Sequence, residues 1–113
     1  MTFARNSKYK VVITRNAKLQ LTQILQYLHQ NLRSEQAARN VRDDINETRL
    51  RLADMADNLK LCDYPELRAL GYRTIHLRRH RYFMLYKIIN GVVRVDGIYH
   101  DLQDYENIFS NSL

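Results

Sequence analysis

Tyr82-Phe83-Met84-Leu85-Tyr86-Lys87-Ile88-Ile89-Asn90-Gly91-Val92-Val93-Arg94-Val95 is the stretch on which the reading of this chain turns. Its first eight residues are aromatic, aliphatic or β-branched and suit a strand. Asn90-Gly91 supplies the two residues that best tolerate positive φ at both centres of a two-residue hairpin turn. A second strand, residues 92–100, must then return beside the first. Alternation in that returning strand puts Arg94, Asp96, Ile98 and His100 on one face and Val93, Val95, Gly97 and Tyr99 on the other. Immediately upstream, residues 72–77 form another strand-like run, joined to Tyr82 through Arg78-Arg79-His80-Arg81. The second half of the chain therefore reads as a three-stranded meander.

Upstream of the meander the period changes. Residues 8–13 alternate, with Tyr9, Val11 and Ile13 on one side, as in a short strand. Thr14 follows and can cap a helix over residues 15–31, whose apolar positions Leu21, Ile24, Leu25, Leu28 and Leu32 fall at three-four spacing. Ser34 can cap a second helix with Glu35 in its first turn. Val41, Ile45, Thr48, Leu52, Met55 and Leu59 form one stripe along it, and Arg39, Asp43, Asp44, Glu47, Arg51 and Asp54 are assigned to the opposite face. The turn between the helices is short, so they form an antiparallel hairpin. Pro65 and Gly71 punctuate the connector 57–71, with room for a helical turn at 65–70. Leu102, Tyr105, Ile108 and Phe109 favour a last turn or two of helix in the tail.

The order β-α-α-β-β-β gives an α+β domain spanning residues 1–113: an antiparallel sheet with the N-terminal helical hairpin packed on one face. The second face of the sheet is expected to be open. The more polar set of the last strand, Arg94 to His100, should look out from it.

Composition narrows the function. One domain is the expectation for 113 residues. One cysteine, Cys62, excludes an internal disulfide and a cysteine-based metal cluster. No apolar run approaches the roughly 20 residues of a membrane span, and the opening residues lack an apolar secretion core, so a cytoplasmic protein with no membrane partner is expected. Eighteen Lys and Arg against 12 Asp and Glu give a net charge of +6, which favours a polyanionic or acidic partner. The excess is local. Arg68, Arg73, Arg78, Arg79 and Arg81, with His76 and His80, occur without one acid among them, whereas acids gather between Glu35 and Glu66.

The chemistry weighed for that cluster is the RNA cleavage that the family resemblance given below implies. Metal-free RNA cleavage needs a base for the 2′-hydroxyl, an acid for the leaving oxygen and cations for the phosphorane. His100 is the candidate acid or base, because imidazole titrates near neutrality. Arg73 and Arg81 are the candidate stabilising cations, and Arg78, Arg79, Arg94, His80 and His76 the candidate RNA, phosphate or partner contacts. Read blandly, residues 78–81 are a solvated hairpin loop and His100 caps a strand. His76 and His80 lack an acid or cysteine beside them, so no metal and no cofactor is expected.

Taken in order, Tyr9-Lys10-Val11-Val12-Ile13-Thr14, Gly71-Tyr72-Arg73, Tyr82-Phe83-Met84-Leu85-Tyr86-Lys87-Ile88, Ile98-Tyr99-His100 and Asp104-Tyr105 resemble the RelE/ParE superfamily of toxins from type II toxin–antitoxin systems. The resemblance runs from Tyr9 to Phe109. It implies a cognate antitoxin with an acidic or amphipathic neutralising segment, encoded in a neighbouring frame and forming a hetero-oligomer with the toxin. It also implies one of two activities. RelE-type members are ribosome-dependent mRNA endoribonucleases (mRNA interferases), and ParE-type members poison DNA gyrase without being nucleases. Many relatives carry Gly and Arg after the His or Tyr of the last strand. Here Asp101, Leu102 and Gln103 stand there, and that end is less basic. The histidine and arginine chemistry favours the endoribonuclease, arresting growth through translation. The alternatives are gyrase inhibition and a plain RNA- or protein-binding module, for which Tyr72, Tyr82 and Tyr86 offer a stacking platform.

Overall fold

Thr14 and Ser34 each start a helix by the same device. In the computed structural model, which describes residues 7–111, the Thr14 hydroxyl accepts from the Ala17 N–H at 3.3 Å and the Ser34 hydroxyl from the Ala37 N–H at 3.0 Å. Each satisfies one donor that a helix start leaves unpaired. The helices are α1 (Arg15–Gln30) and α2 (Glu35–Met55), preceded by β1 (Lys10–Ile13). The α2 helix ends earlier than its apolar stripe suggests: a 3-10 turn (Ala56–Asn58) follows, and Leu59 packs on the core from extended backbone. Then come α3 (Pro65–Ala69), β2 (Arg73–His76), β3 (Tyr82–Ile89), β4 (Val92–His100) and α4 (Tyr105–Ser110). Among the described residues no helix is long and apolar enough to cross a membrane.

The sheet order is β1-β4-β3-β2. The meander β2-β3-β4 is antiparallel, and Asn90 and Gly91 take φ of 50° and 76° at its hairpin turn. The expectation of an antiparallel sheet stops at β1, which pairs parallel to β4 from Lys10↔Val92 to Ile13↔Val95. Parallel pairing requires a long crossover, and the helical hairpin and meander between these strands provide one.

The first core lies between the helices and the sheet. Ala17, Leu28, Val41, Ile45 and Leu52 meet Ile75, Met84, Tyr86, Val93 and Val95, all buried. The Tyr86 hydroxyl, inside this layer, donates to the Ala56 carbonyl at 2.7 Å.

The second face is not open as the sequence suggested. Cys62, Leu67 of α3, Tyr72, Phe83, Leu85, Tyr99 and Phe109 of α4 form a second core on it. The Phe109 ring meets Tyr72 edge-on at 5.1 Å, and Tyr105 meets Phe83 at 4.9 Å. The two short helices that the sequence allowed, α3 and α4, cover part of this face because the sheet offers them aromatic surface to bury.

The alternation of β4 also breaks. Leu85 pairs with Gly97 but Tyr86 with Val95, so Asp96 is an extra residue, a β-bulge. A bulge shifts the side-chain alternation by one. Val93, Val95 and Ile98 therefore all reach the first core, while Tyr99 reaches the second. Arg94 and Asp96 stay on the second face. His100 follows Ile98 onto the helix side, its ring edge-on to Tyr82 at 5.2 Å. The single polar face of Arg94, Asp96, Ile98 and His100 does not exist. Gly97 fits the bulge for a steric reason: a Cβ there would collide with the Tyr99 ring that lies across it.

Candidate functional site

His100 stands at the end of β4 beside a cleft of about 440 Å³ that separates β4 from α1. Gln20, Gln23, Tyr27, Tyr82 and Gln103 line it with His100, and no carboxylate, lysine or arginine does. The Leu102 N–H donates to His100 Nδ1 at 3.1 Å, and the His100 backbone N–H donates to Gln103 Oε1 at 2.7 Å. In the neutral ring this leaves the proton on Nε2. Burial holds the Tyr82 phenol above its ordinary 10.0. The cleft is rich in neutral donors and acceptors and poor in charge.

Of the arginines only Arg81 is near His100 in register, and it does not line the cleft. Arg73 is on the helix side of β2, and its Nη1 donates to the carbonyl of Leu59. By register Arg73 faces Tyr86 and His100 faces Tyr82, four residues along β3 and two strands apart. That is about 16 Å from strand spacing alone. Arg81 is exposed, and among the described residues its side chain has no partner; only its carbonyl is engaged, by the Asp101 N–H at 2.9 Å. His76, on the second face, lies tilted against the Phe83 ring at 5.3 Å and 3.4 Å from Asp101.

Arg78, Arg79 and His80 are held down on α2. Strand β2 ends at His76 and β3 begins at Tyr82, so these residues form the loop between them. Arg78 lies 3.5 Å and Arg79 3.1 Å from the two oxygens of Glu47. Asp44 Oδ2 accepts from the Arg79 N–H at 2.9 Å and lies 2.7 Å from His80 Nδ1. The Asp44 side chain is fully buried, not on the outer face assigned from the helical pattern. Burial pushes its carboxyl up, but the His80 bond, the Arg79 N–H and the His80 charge outweigh that and hold it below the ordinary 3.8. The signal for Asp44 was its place three residues after Val41 and four before Thr48, at the edge of the apolar stripe.

Arg94 closes a third cluster, on the second face. Its Nε and Nη2 both reach Asp96, each at 2.9 Å, and the Tyr72 hydroxyl donates to Asp96 at 2.5 Å. Burial and the Asp96 bond push the Tyr72 phenol up to about 12. Lys87 lies 5.1 Å over the Tyr72 ring. The expected site residues are thus divided: His100 at an uncharged cleft with Arg81 nearby in register, Arg73 at an edge, Arg78, Arg79 and His80 in a clamped loop, His76 beside Phe83 and Asp101, and Arg94 in a bulge network. Tyr72 and Tyr86 are buried on opposite faces, and no exposed row of stacking rings joins them with Tyr82.

The helical hairpin on a mixed four-stranded sheet defines an α+β protein of RelE/ParE-like fold. Residues 11–105 match the model of the family described as ParE toxin of type II toxin-antitoxin system, parDE, and the chain belongs to that family. Among solved structures it is similar to a protein of the chromosomal ParDE toxin–antitoxin system from P. aeruginosa. The TM-score is 0.68 at 20% identity, over 82% of this chain and 96% of that one. That likeness speaks for the fold. No curated protein matches the sequence.

Proposed function

We propose that this chain arrests growth by binding a protein target, DNA gyrase, and not by cutting mRNA. The observation that carries this reading is the uncharged wall of the His100 cleft: no arginine lines it, and Arg81, whose backbone lies next to the Tyr82–His100 pair, is not among its lining residues. Cleavage of a phosphodiester without metal requires an acid or base and a cation at the same phosphate. The His100 cleft has neutral glutamines and tyrosines for walls. Arg78, Arg79 and Arg94 already face carboxylates, and Arg73 lies two strands away. Membership of the ParE family supports the same choice, since gyrase poisoning is what the ParE branch of the resemblance implies. The neutralising partner is a cognate antitoxin, and the two form a hetero-oligomer in the cytoplasm.

Controlled expression tests this. The expected outcome is filamentation with accumulation of gyrase–DNA cleavage complexes while translation continues, and His100→Ala retains the arrest. Codon-phased mRNA cuts that disappear in His100→Ala would overturn the reading and restore the endoribonuclease.

A further inference from the structure

The second core covers only part of the second sheet face. It occupies the end near His100, and among the described residues no core covers the end near the Asn90-Gly91 turn. Register defines what stands there. Val92 lies between Lys10 of β1 and Ile89 of β3, and Arg94 lies between Val12 and Lys87. Alternation puts all six on the same side, because Tyr9, Val11, Ile13, Ile88, Val93 and Val95 all turn to the first core. The result is two rows of three side chains, cations interleaved with aliphatic groups. Val12, on the edge strand β1, and Ile89, the last residue of β3, are 38% and 37% exposed.

Charge decides what would cover this surface. Three cations meet one acid, Asp96, and that carboxylate already holds Arg94. Lys87 rests over a ring, not a carboxylate, and Lys10 has no partner among the described residues. Among the described residues two lysines are left without an acid, on a surface that also exposes Val12 and Ile89 and leaves Val92 half-buried. A nucleic acid would use the lysines but not the aliphatic groups, and among the described residues no aromatic ring is exposed here for a base to stack on. A protein segment with apolar residues on one side and carboxylates beside them would use both.

We propose that Lys10, Val12, Lys87, Ile89, Val92 and Arg94 dock an acidic amphipathic segment of the cognate antitoxin. This rests on the reading of the chain as one half of a toxin–antitoxin pair. The segment lays aliphatic side chains on Val12, Val92 and Ile89 and sets Asp or Glu against Lys10 and Lys87. Such a segment, disordered alone, would fold on this face.

The test is calorimetric titration of the purified full chain with the product of the neighbouring reading frame, at low and moderate salt. The variant Lys10→Glu/Lys87→Glu is expected to bind about tenfold or more weakly and to lose most of the salt dependence. Lys10→Gln/Lys87→Gln, which removes charge without adding repulsion, shifts in the same direction by less. Lys18→Glu, on exposed α1, changes nothing, and circular dichroism melts show all variants folded. Unchanged binding by both double variants overturns this surface while leaving the antitoxin reading intact. No binding by the wild-type chain overturns both. Two other occupants are separable. Loss of single-stranded RNA binding (a labelled oligo-uridine probe) with antitoxin affinity unchanged would give the surface to nucleic acid. Loss of self-association in ultracentrifugation, again with antitoxin affinity unchanged, would give it to a second copy of the chain.

Discussion

Met84 and Leu85 are neighbours in β3, both with no exposed surface, yet they belong to different cores. Met84 points into a layer built by two long helices that their sequence pattern announces. Leu85 points into a layer built by α3 and α4, of five and six residues, around buried Tyr72, Phe83, Tyr99 and Phe109. The first layer is helix packing on a sheet. The second is aromatic packing that happens to carry short helices. Helices that short have little stability of their own, so their order depends on the sheet beneath them. A side chain equally buried on either face can thus rest on structure of very different autonomy.

The sharpest challenge to this comparison is a pair of truncations. Met84→Ala and Leu85→Ala should each cost about 2–5 kcal/mol, the range for deleting a buried long aliphatic side chain, measured by urea unfolding. If Leu85→Ala costs under about 1 kcal/mol, the second layer relaxes around the gap and is not a core in the energetic sense. Phe109→Ala should speed amide exchange in α4 well before it moves the global midpoint.

Asp44→Asn removes the charge that clamps the loop between β2 and β3. The expected cost is about 2–3 kcal/mol at neutral pH, toward the low end for breaking a buried pair because His80 keeps some solvent contact. The pH dependence has a definite sign. A carboxyl held below its ordinary 3.8 contributes stability above that pH and loses it as pH falls through its depressed folded value. The gap between wild type and Asp44→Asn should therefore be full at pH 6 and begin to narrow only below about pH 4 in unfolding titrations.

Gly97→Ala forces a methyl group against Tyr99, whose ring is buried and cannot swing away. A cost of about 1–3 kcal/mol is expected for such overpacking, read as a lowered Tm. A neutral result would mean that the bulge is free to shift its register. Smallest is Tyr72→Phe, which removes one donor from Asp96 while Arg94 still holds it. About 1 kcal/mol is expected, by chemical denaturation.

Much of the scaffold was legible in residues close together along the chain. Thr14 and Ser34 as caps, Asn90-Gly91 as a turn, Pro65 opening a helical turn and the three-four stripes of α1 and α2 all depend on interactions within one or two turns of backbone. The hairpin register of β3 and β4 follows from its turn as far as the bulge. The candidate site was much less legible. Its residue types were identified, but their association was not, because counting by twos along β4 assumes no inserted residue. Asp96 is that residue, and it moves His100 to the other face.

By itself the sequence determined which segments become helix or strand, the net positive charge and the family to which the pattern belongs, since local backbone preference and side-chain period are properties of neighbours. Only the tertiary structure decided the parallel partner of β1, the covering of the second face and the clamp of Asp44 on His80 across 36 positions. Those depend on which distant surfaces come to exclude water together, and no local period encodes that. The same is true of charge: eighteen basic residues give the total, but only the fold reveals that Arg78, Arg79 and Arg94 meet acids while Lys10 and Lys87 do not.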